Sequence, residues 1–230
     1  MLNRNTHKAI LLQILKEIYT DASVGPVLGL KGGTAAHFFY DLGRFSVDLD
    51  IDLLDEAKED YVFEKVKKIL REFGEIREEY KKQHTLFFML SYDDKTQNIK
   101  VEINKRSFGS RYELKNYLGI SMLVMVREDM FAHKLVAMLE RAKTANRDIF
   151  DVWFFLKNNW PINEEIVQKR TGMSFKEYLK KCIEFTESHG RRKILNGMGE
   201  LLDEKHKAWA KANLTKDVTF LLKVRLEQEK

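Results

Sequence analysis

An acidic run in the first quarter of the chain has the residue types and the spacing of a cation site. Asp48, Asp50 and Asp52 alternate with the apolar residues Leu49 and Ile51, a pattern typical of a half-buried β-strand. On such a strand the carboxylates project from one side, about 6.6 to 6.8 Å from one to the next. Neighbouring carboxylates repel one another, and Mg²⁺, which prefers oxygen ligands, is the usual counter-charge. The run therefore predicts a site for one or two divalent ions.

Two other interpretations of the acidic run stay open. The aspartates could form the solvated face of an edge strand, where charges discourage aggregation. The spacing also matches positions 1, 3, 5 and 12 of a calcium loop, at Asp48, Asp50, Asp52 and Glu59. That loop requires Gly at its sixth position, where this chain has Leu53. The interleaved apolar residues favour burial in a sheet instead.

A glycine turn lies thirteen residues before the acidic run. Gly32-Gly33-Thr34 follows a short apolar segment and leads into a helical segment, 35–40. Helix N-termini carry unpaired N–H groups and a partial positive charge, so a phosphate could bind there. A glycine pair alone is equally typical of a plain turn. The order of turn, helix and acidic strand is what favours a phosphate site.

A third carboxylate for the cation site can be sought independently. Apolar and polar residues alternate over 99–104, so Glu102 lies on the polar face of another strand. Its position fits a metal ligand, and an ordinary exposed glutamate is the alternative. Asp93 and Asp94 fall in the polar turn 93–96 between two strands.

The second half of the chain carries another charged group of residues. Lys134 and Arg141 are seven residues apart and share one helix face, where together they could meet a triphosphate. Asp148 and Asp151 share the face of a following helix, with Arg147 four residues before Asp151. Two surface helices linked by salt bridges would give the same pattern. The basic run 191–193 could contact RNA phosphate, or could be a solvated helix start.

Hydrophobic periodicity predicts strands in the front of the chain and helices behind them. Strands are predicted over 27–30, 44–53, 85–92 and 98–104, with a further apolar run at 122–126. Helices are predicted over 7–20, 35–40, 61–73, 128–143, 146–157, 174–188 and 216–227. Ser174 and Glu177 form a capping-box signal at one helix start. The predicted fold is α+β, with a small mixed sheet followed by a helical C-terminal part.

The order of these motifs resembles that of a known enzyme superfamily. Gly33-Thr34 followed by Asp48-x-Asp50 resembles the signature of the DNA polymerase β-like nucleotidyltransferases. Gly-Gly-Thr-Ala with the segment 44–50, Arg-Phe-Ser-Val-Asp-Leu-Asp, is more narrowly similar to the AbiEii/AbiGii toxin family. The resemblance spans roughly residues 30–156. It implies a palm-like nucleotidyltransferase domain over 1–126 and a helical domain over 127–230 that contributes Lys134 and Asp148 to the site.

The resemblance also implies roles for individual residues. Two Mg²⁺ ions would be held by Asp48, Asp50 and Glu102. The nucleotide would be bound by Gly32, Gly33, Thr34, Arg44, Ser46 and Lys134. Asp148 would assist catalysis, and Asp151 is the residue hardest to separate from it. Together the expected catalytic residues are Asp48, Asp50, Glu102, Lys134, Asp148 and Asp151. Whether Asp52 joins the metal is left open.

The reaction implied is Mg²⁺-dependent transfer of a nucleotide from an NTP to an acceptor hydroxyl, with release of pyrophosphate. RNA, in particular the 3′ end of tRNA, is the expected acceptor, and the protein would be the toxin of a toxin–antitoxin or abortive-infection pair with a cognate antitoxin. A small molecule or a protein hydroxyl is an alternative acceptor. A non-catalytic RNA-binding module is the alternative outside enzymes.

Composition is that of an ordinary globular protein. The 230 residues are 44% hydrophobic and 33% charged, with 12 Gly and 2 Pro, which excludes collagen-like and disordered chains. A single cysteine, Cys182, and the lack of a long apolar segment predict a cytoplasmic protein without a membrane segment. Of the net charge of +5, +4 falls from Trp160 onward, which is compatible with a polyanionic partner.

Overall fold

A computed structural model of the chain describes residues 3–92, 97–141, 146–189 and 194–229. The polar turn 93–96 and the basic run 191–193 lie outside the described residues. The chain divides into two compact units. The first unit comprises Met1–Asp41, Phe45–Ser107 and Arg111–Met125, and the second comprises Leu42–Arg44, Phe108–Ser110 and Val126–Lys230. No helix in the described ranges is long and apolar enough to cross a membrane.

The first unit is built around a mixed sheet. Its strands are β1 Leu28–Lys31, β2 Leu49–Leu53, β3 Glu75–Lys82, β4 Thr85–Ser91, β5 Asn98–Asn104, β6 Tyr112–Tyr117 and β7 Ile120–Met125. Among the described residues they form seven strands in the order β3-β4-β5-β2-β1-β7-β6. The pairs β2–β5 and β1–β7 are parallel, and the other neighbours are antiparallel. The predicted α+β class with a mixed sheet is confirmed.

Three helices accompany the sheet in this unit, α1 Arg4–Thr20, α2 Gly32–Tyr40 and α3 Glu59–Arg71. Helix α1 has the predicted apolar stripe, because Leu11, Ile14, Leu15 and Ile18 are all buried. Asn3 caps its first turn by accepting a hydrogen bond from the Thr6 N–H. Helix α2 begins directly at the end of β1, so the glycine turn is itself the first turn of the helix.

The second unit is helical over its described residues. Its helices are α4 Arg127–Glu140, α5 Asn146–Lys157, α6 Glu164–Thr171, α7 Phe175–Ser188 and α8 Glu204–Glu227. The predicted capping box is present at α7, where Ser174 and Glu177 exchange side-chain and backbone hydrogen bonds. Helix α8 begins twelve residues earlier than predicted, because Asp203 accepts from the His206 N–H and caps it there.

The central strand differs from its prediction. The alternation predicts a strand from residue 44, but β2 begins at Leu49. Arg44 and Ser46 therefore lie in the segment that leads into the strand, and Asp48 lies one residue before it. Side chains of α1 and α2 contact backbone carbonyl oxygens of this segment: His7 Nε2 lies 2.8 Å from that of Val47, and Thr34 Oγ1 lies 2.5 Å from that of Asp48.

Candidate active site

Asp50 and Glu102 are brought together by strand register. The parallel pairing of β2 with β5 sets Asp50 opposite Glu102 and Leu49 opposite Val101. Paired residues on neighbouring strands project from the same face, with the strands about 4.8 Å apart. Both carboxylates are half-buried. The pairing of β2 with β5 therefore brings together the two carboxylates that the sequence places on separate segments.

Asp48 is tied to the same two strands. Its Oδ1 accepts a hydrogen bond of 3.3 Å from the backbone N–H of Lys100 on β5. Its carbonyl oxygen lies 2.5 Å from the hydroxyl of Thr34 on α2. Asp48 is thus held at the entrance of β2, between the first turn of α2 and the next strand.

The glycine turn lies directly against Asp50. Lys31, at the end of β1, pairs with Asp50 across the antiparallel ladder, and Gly32 follows with a φ of +73°. A β-carbon on Gly32 would stand 2.5 Å from Oδ2 of Asp50. This position therefore requires glycine twice, for its left-handed backbone and for the space that the carboxylate occupies.

Thr34 directs its hydroxyl inward. Its Oγ1 lies 2.9 Å from Oγ of Ser46 and 2.5 Å from the carbonyl oxygen of Asp48. Thr34 and Ser46 are both buried. The structure thus places these two predicted nucleotide-binding side chains between α2 and the segment before β2, where the Thr34 hydroxyl holds the backbone of Asp48. Gly33 is buried in the same turn.

Both carboxylate oxygens of Asp52 accept hydrogen bonds from side chains of other strands. Its Oδ1 accepts from Lys31 Nζ at 2.5 Å and from Asn104 Nδ2 at 2.8 Å, and its Oδ2 accepts from the Tyr112 hydroxyl. These donors belong to the end of β1, the end of β5 and the start of β6. Asp52 is buried, and both of its oxygens are already engaged. This residue connects strands, and the sequence alone did not reveal its donors.

Four charged side chains form a buried network in the helical unit. Arg44 donates to both oxygens of Asp151, from Nε at 2.5 Å and from Nη2 at 2.6 Å. Lys134 Nζ lies 2.7 Å from Oδ1 of Asp148 and 3.0 Å from Oδ2 of Asp151. Asp148 and Asp151 share the face of α5 that their spacing of three predicted. Two cations thus balance two carboxylates.

This network keeps Lys134 and Asp151 charged. Burial by itself would raise the pKa of Asp151, but Arg44 and Lys134 outweigh it, and the pKa is lowered. Burial would likewise lower the pKa of Lys134, but Asp148 and Asp151 outweigh it, and the pKa is raised. Both groups are ionised at neutral pH as a result.

The predicted residues fall into one group in each unit. In the first unit the structure assembles Asp48, Asp50 and Glu102 with Gly32, Gly33, Thr34 and Ser46. In the second it assembles Lys134, Asp148 and Asp151 with Arg44, whose pairing to Asp151 was missed. No local pattern in the sequence indicates that pair, because the two residues are 107 positions apart. Arg141 caps the end of α4, and Arg147 is exposed on α5.

The chemistry of the first group suits a hard cation. Carboxylate oxygens are the donors that Mg²⁺ prefers, and strand register already sets two of them side by side. Among the described residues, no three His, Cys, Asp or Glu side chains are grouped so that they could hold a metal ion. The carboxylates thus fit Mg²⁺ by donor type, and the register of β2 with β5 makes Asp50 and Glu102 neighbours on the sheet.

Comparison with known proteins identifies the fold. A Helicobacter pylori protein described as a nucleotidyltransferase matches with a TM-score of 0.62 and 20% identity, over 100% of this chain and 99% of that one. JHP933 from Helicobacter pylori matches with a TM-score of 0.58 and 20% identity, over 100% of this chain and 95% of that one. No curated protein sequence matches significantly. At 20% identity these two likenesses show that the chain shares its fold with those proteins.

The family is shown by sequence. The family model for the nucleotidyl transferase AbiEii toxin of type IV toxin–antitoxin systems matches residues 13–219. The chain therefore belongs to the AbiEii family, and the predicted family and enzyme class are confirmed.

Proposed function

We propose that the protein transfers a nucleotide from an NTP to an acceptor hydroxyl, with Asp48, Asp50 and Glu102 holding two Mg²⁺ ions. The observation that carries this proposal is the register of Asp50 with Glu102, directly against Gly32. Bound Mg²⁺ would lower the pKa of the attacking hydroxyl and neutralise the charge of the phosphates. The chain supplies the ligand oxygens and holds them in place.

The phosphates of the NTP are assigned to the start of α2. The first turn of a helix has N–H groups without intrahelical partners, and its partial positive charge favours an anion. Gly32 and Gly33 provide these N–H groups without side chains that would block them. The Thr34 hydroxyl contributes by holding Asp48, as its contacts support.

The helical unit is proposed to contribute Lys134 and Asp148 to the same reaction. Lys134 would contact nucleotide phosphate, and Asp148 would act as the base or orient the acceptor hydroxyl. Asp148 has one partner in the network, Lys134, whereas Asp151 has both Arg44 and Lys134. We therefore assign catalysis to Asp148 and the positioning of Lys134 to Asp151.

RNA is the acceptor we propose, with tRNA 3′ ends as the first candidate. The charge of the chain supports this, because +4 of its +5 lies from Trp160 onward. In the toxin of a type IV system, such a transfer would disable RNA that the cell needs. The cognate antitoxin is the further partner that the family implies.

The test is labelling with each of the four α-³²P-labelled NTPs, in the presence of tRNA, total RNA or protein. Label should appear in RNA with Mg²⁺, disappear with EDTA, and return when Mg²⁺ is added in excess. Asp50→Asn and Glu102→Gln should each reduce the rate by at least about a hundredfold, since each removes a charged ligand. Glu78→Gln, on the exposed edge strand β3, is the matched control and should retain activity.

Two outcomes would count against the proposal. Label confined to protein or to small molecules would reject RNA as the acceptor. Full transfer by Asp50→Asn, or transfer that persists in EDTA after gel filtration, would reject the acidic strand as the centre of the reaction.

A further inference from the structure

A second polar cluster lies in the helical unit and includes none of the residues assigned so far. The segment Phe108–Ser110 belongs to this unit, and Ser110 Oγ lies 2.7 Å from Nε2 of His133 on α4. The other ring nitrogen of His133, Nδ1, lies 2.9 Å from Nη1 of Arg170 on α6. Arg170 also contacts Glu140 at 2.6 Å and lies over the Phe108 ring at 5.3 Å. His133 is thus fixed between a guanidinium and a hydroxyl.

These contacts determine which ring nitrogen of His133 carries the proton. A guanidinium can only donate, so Nδ1 must accept from Arg170. A neutral imidazole has one N–H, which therefore lies on Nε2 and is donated to Ser110 Oγ. His133 cannot then remove the hydroxyl proton of Ser110, which excludes a Ser–His nucleophile. Ser110 accepts from the ring and keeps its own O–H to donate.

That hydroxyl proton has no acceptor among the residues that the structure describes, since His133 is the only hydrogen-bond partner of Ser110 there. The hydrogen bond with His133 fixes the orientation of the Ser110 side chain. Ser110 is half-buried, so part of this side chain remains accessible to solvent. The result is a donor held in place without an acceptor.

Lys169 adds a positive charge beside this donor. Its Nζ lies 3.3 Å from the point where a β-carbon on Gly109 would stand. Glu165, one turn earlier on α6, is at the spacing that usually allows an ion pair. The described part of the chain nevertheless gives Lys169 no ion pair and no hydrogen bond, with Glu165 or any other residue. An exposed ammonium thus lies against the glycine next to Ser110, and none of the described carboxylates forms an ion pair with it.

We propose that Ser110 and Lys169 bind a phosphate group in the backbone of the RNA acceptor. A phosphate oxygen accepts hydrogen bonds from both a hydroxyl and an ammonium, and Gly109, against which Lys169 Nζ lies, directly precedes Ser110 in the chain. Gly109 has a φ of +80° and leaves the approach to the backbone open. RNA is favoured over a free nucleotide because the surplus positive charge of this part of the chain suits a long polyanion. This inference rests on the proposed RNA acceptor and gives it a binding residue outside the assigned catalytic groups.

The test measures binding rather than transfer. A fluorescein-labelled RNA oligonucleotide is titrated with the full chain in EDTA without NTP, at several salt concentrations, and anisotropy gives the dissociation constant. Lys169→Ala should weaken binding about tenfold, because it removes a charge-assisted contact. It should also reduce the slope of log K against log salt by about 0.7, the value for one phosphate contact on single-stranded nucleic acid.

Further variants separate this site from general electrostatics. Ser110→Ala should weaken binding severalfold without changing the salt slope, because the hydroxyl is neutral, and Ser110→Thr should restore binding. Lys216→Ala removes the same charge from an exposed position on α8 and should change the constant less than twofold. Glu78→Gln, on the exposed strand β3, should bind RNA like the wild type, and because binding is measured without NTP or Mg²⁺, loss of transfer and loss of binding are told apart.

The opposing results are equally definite. The proposal is rejected if the wild type does not bind RNA, or if Lys169→Ala and Lys216→Ala are indistinguishable. It is rejected too if Ser110→Ala binds as tightly as the wild type. A parallel titration with ATP addresses the other source of phosphate: weakened ATP binding with unchanged RNA binding would assign the site to the nucleotide and overturn the RNA assignment.

Discussion

The buried network in the helical unit gives the most direct quantitative prediction. Asp151→Asn keeps the shape of the side chain but removes the charge that Arg44 and Lys134 share. The side chains of Arg44 and Asp151 are 3% and 0% exposed, so the arginine would be left buried without a full counter-charge. Removing one partner of such a pair costs about 3 to 5 kcal/mol. Domains are commonly stable by about 5 to 15 kcal/mol, so much of the margin would be lost.

Asp148→Asn is the matched comparison. It removes one contact from Lys134, which keeps Asp151 as its partner at 3.0 Å. We expect a loss of about 1.5 to 3 kcal/mol, the range for one hydrogen bond to a charged group. Asp148→Asn should therefore abolish transfer in a protein that stays folded, whereas Asp151→Asn should reduce both transfer and stability.

Urea unfolding monitored by tryptophan fluorescence measures this difference. All three tryptophans belong to the helical unit, so the signal reports that unit: Trp153, Trp160 and Trp209. The double variant Arg44→Met with Asp151→Leu tests whether charge is the cause, because apolar replacements of a whole buried pair are often neutral. This double variant should recover most of the unfolding free energy that Asp151→Asn loses. Equal stabilities for Asp151→Asn and Asp148→Asn, or a loss below about 1 kcal/mol for Asp151→Asn, would refute the reasoning.

Two further predictions concern the glycine turn and acid stability. Gly32→Ala should abolish transfer, since its β-carbon would stand 2.5 Å from the Asp50 carboxylate. The control is Gly172→Ala, at a glycine with a φ of +71° and open space around it. This variant has the same backbone strain without the collision and should stay active. Because the folded pKa of Asp151 lies below its unfolded value of about 3.9, its contribution to stability is present above that pH and is lost as the pH falls through the folded pKa. Tryptophan fluorescence should show acid unfolding of the helical unit in this range, with a shallower pH dependence in Asp151→Asn; an unchanged dependence would show that Asp151 is not responsible.

The elements that carry the first group of site residues were largely predictable from sequence. The alternation of apolar and acidic residues gave β2 and its polar face, and the glycine turn gave the junction of β1 with α2. These features are local, because strand period and helix starts depend on residues close in sequence. The register that sets Asp50 opposite Glu102 is not local, and the sequence could only suggest it.

Two strands escaped prediction for a physical reason. Most residues of β3 and β6 are exposed or half-buried, so neither strand has the apolar alternation that marks a buried face. They lie at the two edges of the sheet, where charged side chains suit solvent. Pairing between distant residues was missed for a related reason: Arg44 and Asp151 are 107 residues apart, and nothing in local periodicity joins them.

The donors around Asp52 affect how genetic selections for non-toxic variants should be interpreted. Cells that survive expression of this toxin would carry substitutions at Asp50 or at Asp52. From the surviving sequences alone, the two aspartates would seem to have the same role. Cells with a substitution at Asp50 would accumulate folded protein without activity. A substitution at Asp52 would leave Lys31 without its buried counter-charge, and proteases would degrade the destabilised protein. An immunoblot of the survivors would sort them.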